Sequence, residues 1–549
     1  MPVRIRNFEN GIRLCWWVLL AAVIGLIVLI RIRLLAIPLE RDEGEYAYAG
    51  QLMLQGVPPY KLAYNMKFPG TYATYAVIMS VFGQTTTGIH SGLLVLNAAA
   101  IVLIFLLGLR LASSIAGIAA AATYAVLSVS PSVLGLAAHA THFVILPVLG
   151  GTLLLQRLPE SGGHAFWRLF ASGLLFGIGV LMKQPALFFI PFGAIYLLWQ
   201  DAQRRFGLEK ILLRNLIFGI AAIVPFGITC LVLWHTGVFD KFWFWTIQYA
   251  LQYGSLVPLN EGPRIFARSI EQVIRACWTL WMLAGFGLVA GFWCKRTRAS
   301  AGILLGLLAS STLALSAGFY FREHYFILMF PAISLLAGLA VANLVRASRL
   351  PSSSNRIQDA CAALLRIVPL LVFGAALSLP ILFGKKFFFD AAPVEVCRMI
   401  YGSNPFPESV RVADYLREHS SADDTIAVLG SEPQIYFYSK RHSATGYVYA
   451  YGFMEAHKYA RQMQQEMIRE IERARPKYLI SVGIYTSWLG RPESDRLIFK
   501  WANEYTVENY AVVGLVNIAT PSRTDYYFED IPQSVPQLDN YILIYERKS

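Results

Sequence analysis

AIPLERDEGEYAY, residues 36–48, decides how this chain is read. The stretch follows a long apolar run and holds three carboxylates, Asp42, Glu43 and Glu45, within four positions. Charged side chains at membrane depth are costly, so they stay in water or face a polar cavity that binds a cation or accepts a proton. A short loop at a membrane surface needs no such cluster for structure alone. Further on, YNMKFPGTYATY (64–75) sets Lys67 before Pro69 and Gly70. A loop that offers acid and then base points to a site where a proton is taken and an anion is held.

The rest of the chain makes that surface a membrane's. Of 549 residues, 56% are hydrophobic and only 15% charged, well below the charged content usual in soluble domains. Apolar runs near the length a bilayer requires recur through the first 385 residues or so. Candidate spans are 14–35, 88–109, 114–132, 136–155, 168–182, 185–199, 215–235, 273–293, 300–318, 323–345 and 365–384. The run 71–83 is too short to cross and reads as an interfacial or re-entrant helix. The stretch 14–30 has no small-residue cleavage site and reads as a retained first span.

The net charge of +13 is not a nucleic-acid signature, because the surplus sits in short loops that orient helices by the positive-inside rule. With the N-terminus cytoplasmic, the inner loops hold Arg110, Arg157 with Arg168, 201–214, 294–298 and the Arg-rich 346–366. The acidic segment then lies outside. The consistent solution is about eleven spans with the C-terminus extracytoplasmic. Six cysteines, at 15, 230, 277, 294, 361 and 397, show no CxxC and no ligand spacing, which argues against disulfides and a thiolate metal site.

Composition changes near 385. The expected fold is therefore a polytopic α-helical membrane domain over 1–385, with an outer loop at 36–87, followed by a soluble extracytoplasmic α/β domain over 386–549. Within the latter, 408–420 reads as a helix, and 425–430, 478–482, 511–519 and 541–546 as strands. Over 455–475, Ala456, Ala460, Met463, Met467 and Ile471 share one helical face. The aromatic patch 435–453 either packs against the membrane domain or touches carbohydrate or the membrane surface, and packing is the preferred reading.

The polar residues outside the tail gather on the outer side of this topology. Besides the acidic loop and Lys67, they are His139 and His142 in GLAAHATHF (135–143), Lys183 between two short helices in GIGVLMKQPALFFIPF (177–192), and Arg322, Glu323 and His324 in FYFREHYF (319–326). Asp42 is the candidate base, with Glu43 beside it. Lys67, Lys183, Arg322 and His324 are candidate contacts for a phosphate. Glu45, Tyr46, Tyr64, His139, His142 and Tyr325 are candidate substrate contacts.

These stretches carry a resemblance. DEGEYAYAGQLMLQGVPPY (42–60), YNMKFPG (64–70) and VFG (81–83) resemble the first outer loop of the GT-C membrane glycosyltransferases, in particular the protein O-mannosyltransferase and aminoarabinose (lipid A) transferase group. GLLFGIGVLMKQPALF (173–188) and FREHYFILMFPAISLLAG (321–338) extend the similarity over most of 10–345. The resemblance implies transfer of a sugar from a polyprenyl-phosphate donor to a lipid, glycan or protein acceptor on the outer face of a cell (inner or plasma) membrane. It implies Asp42 as general base or metal-assisting carboxylate, Lys67 at the donor phosphate, and Arg322 and His324 near the lipid phosphate. Relatives often carry a second carboxylate near 139–142, where this chain has His139, Thr141 and His142. No cofactor is required by the residues, and a divalent metal ion at Asp42 stays open. Two rival classes remain: a transporter or flippase for a lipid-linked or anionic solute, and a sensor whose outer α/β domain binds a ligand. The first predicts internal repeats that the chain lacks, and the second leaves the acidic loop unexplained.

Overall fold

The computed structural model describes residues 2–156, 158–160, 162–348, 356–532 and 538–548. Arg157 and part of the Arg-rich 346–366 lie outside them. Contacts divide the chain into two compact units: Met1–Arg33, Leu93–Thr229 and Val257–Asp390 form the first, and Leu34–Gly92, Cys230–Leu256 and Ala391–Ser549 the second. The outer loop thus shares a unit with the tail.

The first unit is helical. A helix stands at each expected span, beginning with α1 (Pro2–Arg33). The count of about eleven crossings is not reproduced by length. Among the described residues, six helices are long and apolar enough to cross, or seven if the bent pair Gly262–Ala276 and Trp278–Trp293, angled at 106°, is one span. Ser114–Leu127 and Ala140–Leu155 are shorter. At ~1.5 Å per residue, helices of that length fall short of a ~30 Å hydrocarbon layer. The segment Glu323–Ala347 is the unit's centre, with 94% of its apolar window buried. Its Gly338 lies against the Ala116 carbonyl, and Gly287 lies against the Leu336 carbonyl. Small residues at such crossings let backbones approach closely, which is how helices gain contact where lipid removes the hydrophobic drive.

The second unit is built on a six-stranded sheet in the order β2-β1-β3-β6-β4-β5. Its strands are β1 (Thr425–Leu429), β2 (His442–Ser443), β3 (Tyr478–Gly483), β4 (Tyr510–Thr520), β5 (Arg523–Phe528) and β6 (Tyr541–Arg547). β1 pairs in parallel with β2 and β3, whereas β6 runs antiparallel between β3 and β4. The four expected strands are present, while β2 and β5 are additions. The helix expected over 455–475 begins at Ala460: Met463, Met467 and Ile471 are buried, but Ala456 precedes the helix and is exposed. The aromatic patch 435–453 packs inward, with Ile435, Tyr436, Phe437, Tyr447 and Phe453 all buried.

The acidic stretch is not a loop. Its three carboxylates lie in the opening turns of α2 (Arg41–Leu54), started by a capping box in which the Glu40 side chain accepts from Glu43 N at 2.9 Å and Glu43 Oε2 accepts from Glu40 N at 3.3 Å. α3 (Pro69–Phe82) follows, with proline at its first position, where the missing N–H is not needed. It packs on α2 through Tyr46 and Tyr75, whose ring centroids are 5.4 Å apart.

Candidate active site

Asp42 and Glu45 are three residues apart on α2 and therefore share a face. Lys67, from the segment leading into α3, bridges them: Nζ donates to Asp42 Oδ1 at 2.9 Å and to Glu45 Oε2 at 3.0 Å. The three groups differ in access. The Glu45 side chain is fully buried, while those of Asp42 and Lys67 keep 18% and 21% exposure. Glu45 also accepts from the Tyr72 hydroxyl at 2.6 Å, and the Lys67 carbonyl accepts from the Tyr60 hydroxyl at 2.7 Å. The Tyr46 ring lies 4.4 Å from Nζ, within cation–π range.

Burial alone would lower the Lys67 pKa, but the Asp42 and Glu45 carboxylates outweigh it and hold the ammonium well above its ordinary value. Burial raises the Glu45 carboxyl, against the pull of Lys67. Asp42 is thus the solvent-reaching carboxylate of the pair, and Glu45 the one that anchors the lysine.

Glu43 faces elsewhere. Its Oε1 lies 3.0 Å from His90 Nε2, and His90 Nδ1 lies 2.8 Å from the Leu35 carbonyl. Its place is the helix cap and this histidine. Tyr64, likewise, sits in a different network, donating to Glu470 at 3.1 Å and stacking on Trp245.

The tail supplies residues that sequence reasoning missed. The Tyr449 hydroxyl donates to Asp42 Oδ1 at 3.0 Å. Arg41 reaches into the loop after β1, with Nε on the Ser431 carbonyl at 2.6 Å, and Nη2 on Glu432 Oε1 at 2.6 Å and on Asn404 Oδ1 at 3.0 Å. In a parallel β2-β1-β3 arrangement, the crevice beyond the carboxyl ends of β1 and β3 is where ligands commonly bind. Here Arg41 fills it, so the sheet's usual ligand position holds the amino end of α2. Tyr48 stacks on Tyr436 with centroids 5.1 Å apart and accepts from Ser443 N at 2.8 Å. Arg41, adjacent to Asp42, was within reach of the sequence reading. Tyr449, 407 positions away, left no local signal.

The first unit holds a second cluster. Lys183 ends the helix Gly163–Met182 in an extended conformation, and its Nζ lies 3.7 Å from the centre of the Tyr325 ring. Tyr325 meets His324 edge-on at 4.7 Å, and His324 stacks on His139 at 4.1 Å. Four of the expected residues therefore form one chain of contacts. Arg322 begins the turn Glu323–Met329, with its guanidinium 5.8 Å from the Tyr320 ring centre. His142 is buried one turn beyond His139, and its Nε2 has no hydrogen-bond partner among the described residues.

The chain superposes on ArnT from Cupriavidus metallidurans bound to undecaprenyl phosphate, with a TM-score of 0.57 and 15% identity over 95% of this chain and 99% of that one. The chain shares the fold of this protein. The apo form of the same ArnT matches at a TM-score of 0.54 and 14% identity, covering 97% and 98% of the two chains. The archaeal oligosaccharyltransferase AglB from Archaeoglobus fulgidus, in complex with an inhibitory peptide and a dolichol-phosphate, matches at 0.52 and 11% identity, covering 95% and 75%. The dolichyl-phosphate-mannose-protein mannosyltransferase family model matches residues 67–228, a span that opens at Lys67. No curated protein sequence matches the chain. The GT-C resemblance read from the acidic stretch and the Lys67 segment is therefore borne out by fold and by family model.

Proposed function

We propose that this GT-C protein transfers a hexosyl or pentosyl unit from a polyprenyl-phosphate donor to an acceptor on the outer face of a cell membrane, with inversion at the sugar. The observation that carries the proposal is the Asp42–Lys67–Glu45 bridge: a solvent-reaching carboxylate beside an ammonium that two carboxylates keep charged against the effect of burial. An acceptor hydroxyl or amine attacks the anomeric carbon as Asp42 takes its proton, and the bond from that carbon to the phosphate oxygen breaks. The electron pair leaves with the lipid phosphate, whose developing charge needs a preorganised cation. Lys67 has three N–H donors, of which Asp42 and Glu45 take two; the third, beside Tyr46, would turn to a phosphate oxygen when the donor binds.

Support for the donor class comes from the neighbours bound to undecaprenyl phosphate and dolichol-phosphate. The assignments of Lys183, Arg322 and His324 to the donor phosphate, and of Tyr46, His139, His142 and Tyr325 to substrate, belong to the same proposal; Tyr64, held by Glu470 and Trp245, does not. So does the division into an embedded 1–385 and an extracytoplasmic 386–549 with a cytoplasmic N-terminus. Glu43 keeps its capping role, and the base is Asp42 alone. A divalent ion at Asp42 remains part of this proposal as an alternative partner for its charge, and no step is derived through it.

The test incubates purified protein with a panel of polyprenyl-phosphate sugars and measures release of free lipid phosphate. Asp42→Asn that transfers at the full rate would discard the base role. Activity restored to chelated protein only by a divalent ion would revise the role of Lys67.

A further inference from the structure

The carboxyl end of β3 opens on a second concavity, of about 500 Å³, within the range of small-ligand pockets. Tyr485, Trp488, Pro492 and Phe499 supply apolar walls, and Arg491 and Arg496 supply charge. No carboxylate is among the lining residues. Trp488 is locked in place by its Nε1 bond to the Val482 carbonyl at 2.9 Å and by Phe499, whose ring centroid is 4.6 Å away. Tyr485 stands 68% exposed. Arg496 lies 5.8 Å from the Phe499 ring centre, and its Nη2 donates to the Arg491 carbonyl at 3.3 Å.

The nearby Asp495 does not neutralise this pair. Its Oδ2 is held by Arg461 at 2.8 Å and its Oδ1 by Leu497 N at 2.9 Å. Among the described residues, neither Arg491 nor Arg496 forms an ion pair, so the Arg491 guanidinium and the N–H groups of Arg496 not turned to the Arg491 carbonyl can meet an incoming anion. Guanidinium recognises carboxylate and phosphate with planar paired hydrogen bonds. Aromatic walls offer flat apolar faces to the C–H side of a sugar ring. A ligand that satisfies both is a sugar that carries a negative charge.

We propose that this pocket binds an anionic saccharide, as a uronic acid or a sugar phosphate. Its role as an acceptor subsite rests on the transferase reading above. Binding itself is independent of that reading, so the two can fail separately.

The experiment titrates full-length protein in detergent, by calorimetry, with tri-galacturonate, glucose 6-phosphate and the neutral maltotriose. At least one acidic ligand is expected to bind about tenfold or more tightly than maltotriose. Arg491→Ala/Arg496→Ala is expected to remove that preference, and Tyr485→Ala to weaken the acidic ligand and maltotriose alike. Asp42→Asn should bind as the unaltered protein does. Which acidic ligand wins distinguishes a carboxylate from a phosphate. Equal binding of maltotriose, no binding of either acidic ligand, or an unaffected double variant whose unfolding temperature is unchanged would overturn the site. Intact binding in a protein that transfers sugar at the same rate when Arg491 and Arg496 are removed would overturn the acceptor role.

Discussion

The Arg41 guanidinium meets the Glu432 carboxylate at 2.6 Å, with the two side chains only 8% and 0% exposed. This pair ties the amino end of α2 to the loop after β1, and so sets where Asp42 stands. Removing one member of a buried pair leaves the other charge uncompensated, at a cost of about 3–5 kcal/mol. Glu432→Gln is expected to lower the unfolding temperature clearly and to reduce transfer. Thermal denaturation in detergent, with the lipid-phosphate assay run alongside, checks both.

Lys67→Met removes the cation from the candidate site and leaves Asp42 and Glu45 facing each other. Loss of one preorganised donor to a developing oxyanion lowers rate by about 10²–10³-fold. Lys67→Arg keeps charge but changes donor geometry, and should fall between the two. Rates of lipid-phosphate release rank the three proteins; equal rates would remove Lys67 from the chemistry.

Tyr449→Phe deletes the hydroxyl that donates to Asp42 Oδ1 and leaves the ring in place. A hydrogen bond to a charged group contributes about 1.5–3 kcal/mol. Transfer is expected to fall roughly ten- to a hundredfold, and the unfolding temperature by no more than this one hydrogen bond accounts for, because the ring packing survives. Measured kcat beside denaturation separates this from a packing defect.

Glu45 makes a pH prediction. Burial raises its carboxyl in the folded chain, so the folded state keeps a proton that the unfolded chain has already released. Its contribution to stability is therefore complete below the ordinary glutamate range and is lost as pH rises through the raised value. Glu45→Gln should flatten the unfolding-temperature profile just above that range. Profiles measured between about pH 4 and pH 8 that run parallel would contradict it.

Gly44 sits where α2 touches the tail: a Cβ there would fall 2.6 Å from Gln434 N. Alanine normally favours a helix over glycine, yet here it must push α2 off the segment Gln434–Ser439. Overpacking of this kind costs about 1–3 kcal/mol. Gly44→Ala should lower both unfolding temperature and transfer, whereas Gly25→Ala, with open space at its Cβ, should lower neither.

Most of the helical positions and four of the six strands were legible, because apolar length and period mark an element wherever it ends up packing. The count of crossings was less so. Ser114–Leu127 and Ala140–Leu155 are apolar enough to read as spans, but their length is decided by where Pro131 and His139 interrupt the helix. At the candidate site, Asp42 and Lys67 were legible as an acid and a base in one segment. That Glu43 turns to His90 was not, since the pattern of three carboxylates looks alike from every side.

By itself, the order of residues determined that this chain has membrane-spanning helices, an acid–base segment and a terminal α/β sheet, since each follows from composition and spacing along a short stretch. Only the tertiary structure decided the division of labour among the carboxylates: Glu43 caps, Glu45 anchors and Asp42 remains open. That choice belongs to burial and to partners such as Tyr449 and Glu432, which lie hundreds of positions away and reach α2 only once the sheet has folded.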